Sequence, residues 1–240
     1  MKKLIFFICT VMLVGIAIQA QVTQINSNKS LETAYPLNSN QAIAVSNLDS
    51  SIWVTDGTLS GTKQLSTSIK FIQSAMVLNG QLVFVGNSLV TGVELFITDG
   101  TIGGTKLLKD IAQGASGSDP GDFALLNGFI YFSAVTANEG RELWKTDGTS
   151  AGTTLLKDIV NGVGSSNQLG KYSLFSNGSY LLFAAQSNGS GIELWKSDGT
   201  NAGTNLLLNI NTGNAGADSS NPANFYSVNN VVVFTATDAT

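Results

Sequence analysis

One segment occurs four times along this chain, and it constrains the fold more than any other feature. The copies are Gly191 to Thr204 (GIELWKSDGTNAGT), Gly140 to Thr153 (GRELWKTDGTSAGT), Gly92 to Thr105 (GVELFITDGTIGGT) and a worn version, Ser51 to Thr62 (SIWVTDGTLSGT). In each, Asp-Gly-Thr is followed at the same offset by Gly-Thr. The aspartates are Asp56, Asp99, Asp147 and Asp198, so the spacings are 43, 48 and 51 residues. Self-similarity at this period marks an array of supersecondary units, each burying its apolar face against the next.

The sequence between the copies reads as strand. After each Gly-Thr comes an apolar run: Leu107 to Ile111, Leu155 to Ile159 and Leu206 to Ile210, with Gln64 to Thr67 a degenerate version. A Gly/Ser/Asp/Asn-rich loop follows in three copies (Gly114 to Asp122, Gly162 to Gly170, Gly213 to Asn224), and the first copy almost lacks it. Next come runs closing on Asn79-Gly80, Asn127-Gly128, Asn177-Gly178 and Asn229-Asn230, then return runs ending at Phe84, Phe132, Phe183 and Phe234. Asn-Gly between apolar runs predicts a two-residue hairpin, because both turn positions need positive φ. No helical period appears. About four short strands in 40 to 50 residues is the size of one propeller blade. The expected fold is all-β, a β-propeller-like array over residues 31–240. Residues 31–48 supply a front half-unit and four units follow, which predicts an incomplete ring, a fragment of a longer array.

The N-terminus reads as a secretory leader over residues 1–20, with Lys2 and Lys3 at its start, an apolar core from Leu4 to Ile18 and cleavage after Ala20. That core is shorter than the roughly 20 residues of a membrane span. An uncleaved anchor is the alternative. Residues 21–30 read as a flexible polar segment. The only cysteine, Cys9, lies inside the leader and too early to be a lipoprotein anchor, with Ile8 before it where a small residue is expected. The mature chain then has no cysteine, and the sequence contains no histidine. Disulfides, cysteine nucleophiles, a Ser-His-Asp triad and Cys/His zinc sites are excluded. Without its leader the chain carries 10 basic against 16 acidic residues. This mildly acidic balance, with no basic run, argues against nucleic acid and anionic membrane as partners.

The candidate site residues fall into shared and unshared sets. Asp56-Gly57, Asp99-Gly100, Asp147-Gly148 and Asp198-Gly199 read as structural turns, in which the carboxylate caps N–H groups two residues on and glycine closes the turn. Trp53, Phe96, Trp144 and Trp195 read as core aromatics packing between units, with a sugar-stacking platform as the alternative. Glu94, Glu142 and Glu193 are expected to pair with lysine or accept backbone N–H bonds, as buried carboxylates must. Carboxylates outside the shared pattern are Glu32, Asp49, Asp119, Asp122, Glu139, Asp218 and Asp238. Asp119, Asp122 and Asp218 sit in oxygen-rich loops of a kind that holds Ca²⁺, though solvated loop residues are the simpler reading. Arg141, the only arginine, reads as a surface residue able to meet an anion.

Glu142 to Thr149 and Glu193 to Thr200 resemble the signature of a family of secreted bacterial proteins, the ELWxxDGT repeat proteins. Glu94 to Thr101 departs by Phe for Trp, and Ser51 to Thr58 by Ser for Glu and Ile for Leu. The resemblance covers Ser51 onwards. It implies export, a propeller-like array and no assigned reaction; members are often longer and many end in a cell-surface sorting domain. The expected function is an exported, non-enzymatic binding or adhesion scaffold at the cell envelope or outside the cell. Its partner is an unidentified protein or glycan on the loop faces, and no cofactor, metal or catalytic residue is called for. The alternatives are a secreted hydrolase using two unshared carboxylates on polysaccharide and an extracellular spacer with no ligand.

Overall fold

A computed structural model describes residues 31–166, 173–213, 218–229 and 231–238. The leader with Cys9, the segment 21–30 and part of the second and third Gly-rich loops lie outside these residues, as does the side chain of Glu32. Among the described residues there is no α-helix, and the strands form successive antiparallel sheets. The first sheet contains β1 (Leu31–Pro36), β2 (Ala42–Ser46), β3 (Ser51–Thr55) and β4 (Lys63–Lys70). The second has β5 (Ala75–Leu78), β6 (Gln81–Ser88), β7 (Gly92–Thr98) and β8 (Lys106–Lys109). The third has β9 (Gly121–Leu126), β10 (Phe129–Thr136), β11 (Gly140–Thr146) and β12 (Thr154–Lys157). The fourth has β13 (Phe175–Ser176), β14 (Leu181–Ala185), β15 (Glu193–Ser197) and β16 (Asn205–Leu208), and a hairpin of β17 (Ala223–Val228) and β18 (Val231–Thr235) follows. Each four-stranded sheet is a propeller blade with its strands side by side in chain order. One bridge, Lys70 opposite Asn87, links the first two blades.

The repeat of the sequence and the blade of the fold are out of phase. The repeated signature lies on the third strand of each blade and in the loop after it. The front segment, expected to be half a unit, therefore joins β3 and β4 in a complete first blade. The half-blade is the hairpin β17–β18. The degenerate run Gln64 to Thr67 is not lost structure either: it lies within β4, the longest outer strand at 8 residues.

Second and third strands read as near-continuous apolar runs because both of their faces are covered. On β6, Leu82 and Phe84 pack into a cluster with Ile43, Ile52 and Val54 of the first blade. Val83 and Val85, on the opposite face, pack with Ile130 and Phe132 of the third. A third cluster joins Leu143 and Tyr131 to Phe183 and Trp195 of the fourth. The period of 2 along a strand thus divides each run between two interblade cores. Asn79-Gly80 and Asn127-Gly128 make the expected two-residue turns, with φ of 52° and 77°, and 50° and 77°. Asn177-Gly178 does not. There the loop lengthens to four residues, and the Asn177 side chain accepts N–H bonds from Ser179 and Tyr180, each at 3.0 Å. A turn built on the Asn side chain replaces one built on two left-handed residues.

The Asp-Gly turns of the second, third and fourth blades lean on the blade before, most tightly at Gly199. Its φ is 92°, and a Cβ there would lie 2.3 Å from the Tyr131 hydroxyl oxygen. Gly199→Ala is expected to lower stability by about 1–3 kcal/mol, combining left-handed strain with the clash. Gly80→Ala, with open space around it, meets the φ term alone. Chemical denaturation of the two variants checks the order.

Candidate functional site

The shared residues build one loop four times. The Asp Oδ1 accepts from the N–H of the Thr two residues on at 2.8–2.9 Å and from its hydroxyl at 2.7 Å. That hydroxyl accepts the N–H of the later Gly at 2.9–3.0 Å. The final Thr donates back to the first Thr carbonyl at 2.6–2.7 Å. The later Gly (61, 104, 152, 203) is needed because a Cβ would lie 2.0–2.1 Å from the Asp carboxyl. The hydroxyls of Thr55, Thr98, Thr146 and Ser197, just before each Asp, bond to the final Thr hydroxyl at 2.7–2.8 Å and accept the Asp-Gly glycine N–H at 3.0 Å. Sequence reading passed over this residue, although a hydroxyl side chain stands there in all four copies. The Thr hydroxyl holds each Asp carboxyl below its ordinary range, as the largest cause. The Asp Oδ1, the Thr hydroxyls and the Gly N–H groups of the motif are engaged in closing its own loop.

The three glutamates are fully buried latches between blades. Glu94 accepts from Ala112 N–H (2.9 Å) and the Ser118 hydroxyl (2.6 Å). Glu142 accepts N–H bonds from Ile159 (2.9 Å), Val160 (3.3 Å) and Ser166 (3.0 Å). Glu193 accepts from Ile210 N–H (2.8 Å), Ser220 N–H (3.0 Å) and the Ser220 hydroxyl (2.6 Å). Each glutamate therefore grips the segment that leads to the next blade at two places, its start and a serine further on. Burial pushes the Glu94 carboxyl up and the Glu142 carboxyl up to about 7, against the lowering by their hydrogen-bond donors. The lysines play a different part: Lys157 Nζ donates to the carbonyls of Asn201 (3.2 Å) and Thr204 (2.7 Å) in the Asp-Gly-Thr loop of the following blade.

The first blade shows what the latch is for. Its link to the next blade is only Phe71 to Ser74, between β4 and β5, so there is no long loop to hold. Ser51 stands in the glutamate's place. Its hydroxyl donates to Asp49 Oδ1 (2.6 Å) and accepts Trp53 Nε1–H (2.8 Å). Phe96 and Trp195 pack against the preceding blade, and Trp144 borders that core partly buried. Trp53 departs from the expected packing between units: it clusters with Leu31 and Ala44 of its own sheet.

Several of the unshared charged residues serve contacts of their own. Arg141 is buried rather than on the surface. It donates to Asp119 Oδ2 (2.9 Å), the Asp119 carbonyl (2.9 Å) and the Ser133 hydroxyl (3.1 Å), so Asp119 serves this contact. Glu139 accepts the Thr136 hydroxyl. Asp49 is held down to about 2 by the Ser51 hydroxyl and N–H. Among the described residues no three Asp or Glu side chains gather at a metal-binding distance.

Three departures from the repeat meet at one place, a groove of about 610 Å³ between the first and second blades. Phe96, the one aromatic of its set that is not Trp, lies at its floor with Ile69 and Leu107. One wall is the lengthened β4, standing where the missing loop would run. In the corresponding groove of the next gap, Ile111 to Gly117 of that loop line the space over Trp144. The lip is Leu89-Val90, 98% and 78% exposed, where the later copies carry Ala137-Asn138 and Asn188-Gly189. Lys70 and Lys106 complete the lining, which contains no Asp or Glu.

No family model matches the chain, and no curated protein does. Solved structures similar to it include the computationally designed Ika8 protein (15% identity, TM-score 0.46, 86% of this chain and 55% of that one). A puromycin hydrolase S511A mutant complexed with PGG matches at 14% identity and a TM-score of 0.50, over 89% of this chain and 34% of its own. A chain of the nidogen/laminin complex matches at 12% identity and a TM-score of 0.44, over 90% and 76%. The chain thus spans about half of the first of these and a third of the second. What the similarity shows is the fold, a β-propeller.

Proposed function

We propose that the protein is an exported, non-enzymatic β-propeller that binds a protein or glycan partner at the cell envelope or outside the cell. The observation that carries this reading is the division of labour among its residues. The repeated Asp side chains close loops, the buried Glu side chains and Phe96, Trp144 and Trp195 join blades, and three departures from the repeat, Phe96, the lengthened β4 and Leu89-Val90, meet at one groove. A scaffold that repeats and a site that does not is the usual arrangement of a binding domain. Export is supported by the leader-like residues 1–20 and by the resemblance to the ELWxxDGT repeat proteins. No helix among the described residues is long and apolar enough to cross a membrane.

The test takes the full chain, tagged at its C-terminus and expressed in a bacterial host. It is expected outside the cytoplasm with Gln21 as its first residue, and the exported protein is expected to bind saturably to at least one member of a panel of envelope glycans and surface proteins. Retention inside the cell with residues 1–20 intact would remove the export half of the reading. An empty panel would remove the binding half.

A further inference from the structure

The geometry points to the groove between the first and second blades as a docking site for an extended peptide segment, one that carries bulky apolar and acidic side chains on the same face. This rests on the binding reading above and names its site and partner class. Three features decide the occupant. The first is shape and polarity: an apolar floor of Phe96, Ile69 and Leu107 under an apolar lip, within the size range of pockets that hold small ligands or a few side chains. The scaffold does not need that lip, since the equivalent positions in the third and fourth blades are small or polar. A solvated Leu-Val pair beside an apolar groove is surface awaiting cover.

The second feature is charge. Among the described residues Lys70 and Lys106 are the ionisable groups of the lining; the Lys70 ammonium donates to the Asp49 carbonyl (2.9 Å), so the cation facing a ligand is chiefly Lys106, on a chain of net charge −4. An acidic side chain is favoured there and a basic one repelled. The third is the backbone of β4. It pairs with β3 on one side, while on the other, among the described residues, it meets a strand only at Lys70 opposite Asn87. A strand with an open side accepts an extended peptide through its N–H and C=O groups, and side chains at alternate positions then enter the groove.

Two labelled peptides are the probes, Thr-Phe-Thr-Leu-Thr-Asp-Thr and its reverse, which allow for either strand direction. Each is titrated against the full chain by fluorescence polarisation. At least one is expected to bind at a single site with a Kd of roughly 10–100 μM. The same peptides with Lys for Asp are expected to bind at least about tenfold more weakly, a loss of about 1.4 kcal/mol. Leu89→Ser/Val90→Ser, which alters only exposed side chains, and Lys106→Glu are each expected to weaken the acidic probe by about tenfold or more while leaving the melting temperature in place. Absence of binding at millimolar peptide overturns the proposal, and so does binding that these variants leave unchanged. If the proposal fails while the envelope panel yields a ligand insensitive to Leu89→Ser/Val90→Ser, the groove assignment falls and the binding reading stands. If the panel is also empty, both fall.

Discussion

Trp195→Ala is expected to lower the stability of the folded chain by about 3–5 kcal/mol, a large share of the roughly 5–15 kcal/mol of a typical domain. Trp195 is only 6% exposed and joins Phe183 to Tyr131, Leu143 and Leu156 of the preceding blade. Removing the indole opens a cavity at an interblade core. Trp144→Ala is expected at the lower end of that range, because Trp144 is only partly buried and borders its cluster from the groove side. The indole N–H is not what matters. Trp195 Nε1 is buried and finds no acceptor among the described residues, so Trp195→Phe gives up area but no hydrogen bond. It is expected to cost about 1.5 kcal/mol or less, and Phe96 already fills the equivalent position in the second blade. Urea unfolding of the three variants ranks them. Equal losses for Trp195→Ala and Trp195→Phe would show that the indole nitrogen, and not the packing, carries the effect.

Glu142→Ala is expected to be comparably damaging for a different reason. It strands the N–H groups of Ile159 and Val160 and takes one of two acceptors from the N–H of Ser166, which keeps the Arg141 carbonyl (3.1 Å). A buried donor without an acceptor costs about 1–3 kcal/mol, and water entering the vacated space offsets part of the total. Glu142→Gln keeps one acceptor oxygen and turns an NH2 group towards a donor, so a smaller loss is expected. The same carboxyl ties stability to pH. Its value in the folded chain is about 7, against an ordinary 4.5. The folded state holds the proton more tightly than the unfolded state, so this contribution is complete below about pH 4.5 and is lost as the pH rises through 7. The Asp-Gly-Thr carboxyls work in the opposite sense. Their folded values lie below the ordinary 3.8, so their contribution is present above that value and is lost as the pH falls through the lowered ones. Thermal stability is therefore expected to peak at mildly acidic pH, decline towards pH 8 and decline again as the pH falls below the ordinary carboxylate value of 3.8. In Glu142→Gln the decline from pH 5 to 8 is expected to flatten. An unchanged alkaline slope in that variant would assign the slope to other groups.

Much of this was legible in the chain. Copies of Asp-Gly-Thr with a Gly-Thr at fixed offset, apolar runs too short for helices and Asn-Gly between them were enough to set the class, the repeat and the number of strands per unit. These features are local. A turn is decided by the φ its residues tolerate and by a carboxylate two bonds from the N–H it caps, and such contacts recur wherever the residues recur.

What the sequence by itself determined is therefore the unit: a four-stranded antiparallel sheet of propeller type, closed by the same hydroxyl and carboxylate network each time. Only the tertiary structure decided how units meet. It placed the signature on the third strand, so that residues 31–48 complete a blade and the half-blade falls to β17–β18. It buried Arg141 against Asp119, and it turned the three glutamates into grips on segments up to 27 residues away. It also gathered Phe96, the lengthened β4 and Leu89-Val90 around one groove, although each looks like unrelated wear in the repeat. The physical reason is distance along the chain. Loop contacts lie within a few residues and leave a pattern, whereas blade-to-blade contacts depend on which face of a strand looks outward and on what a missing loop leaves uncovered, and those are settled only when the sheets pack.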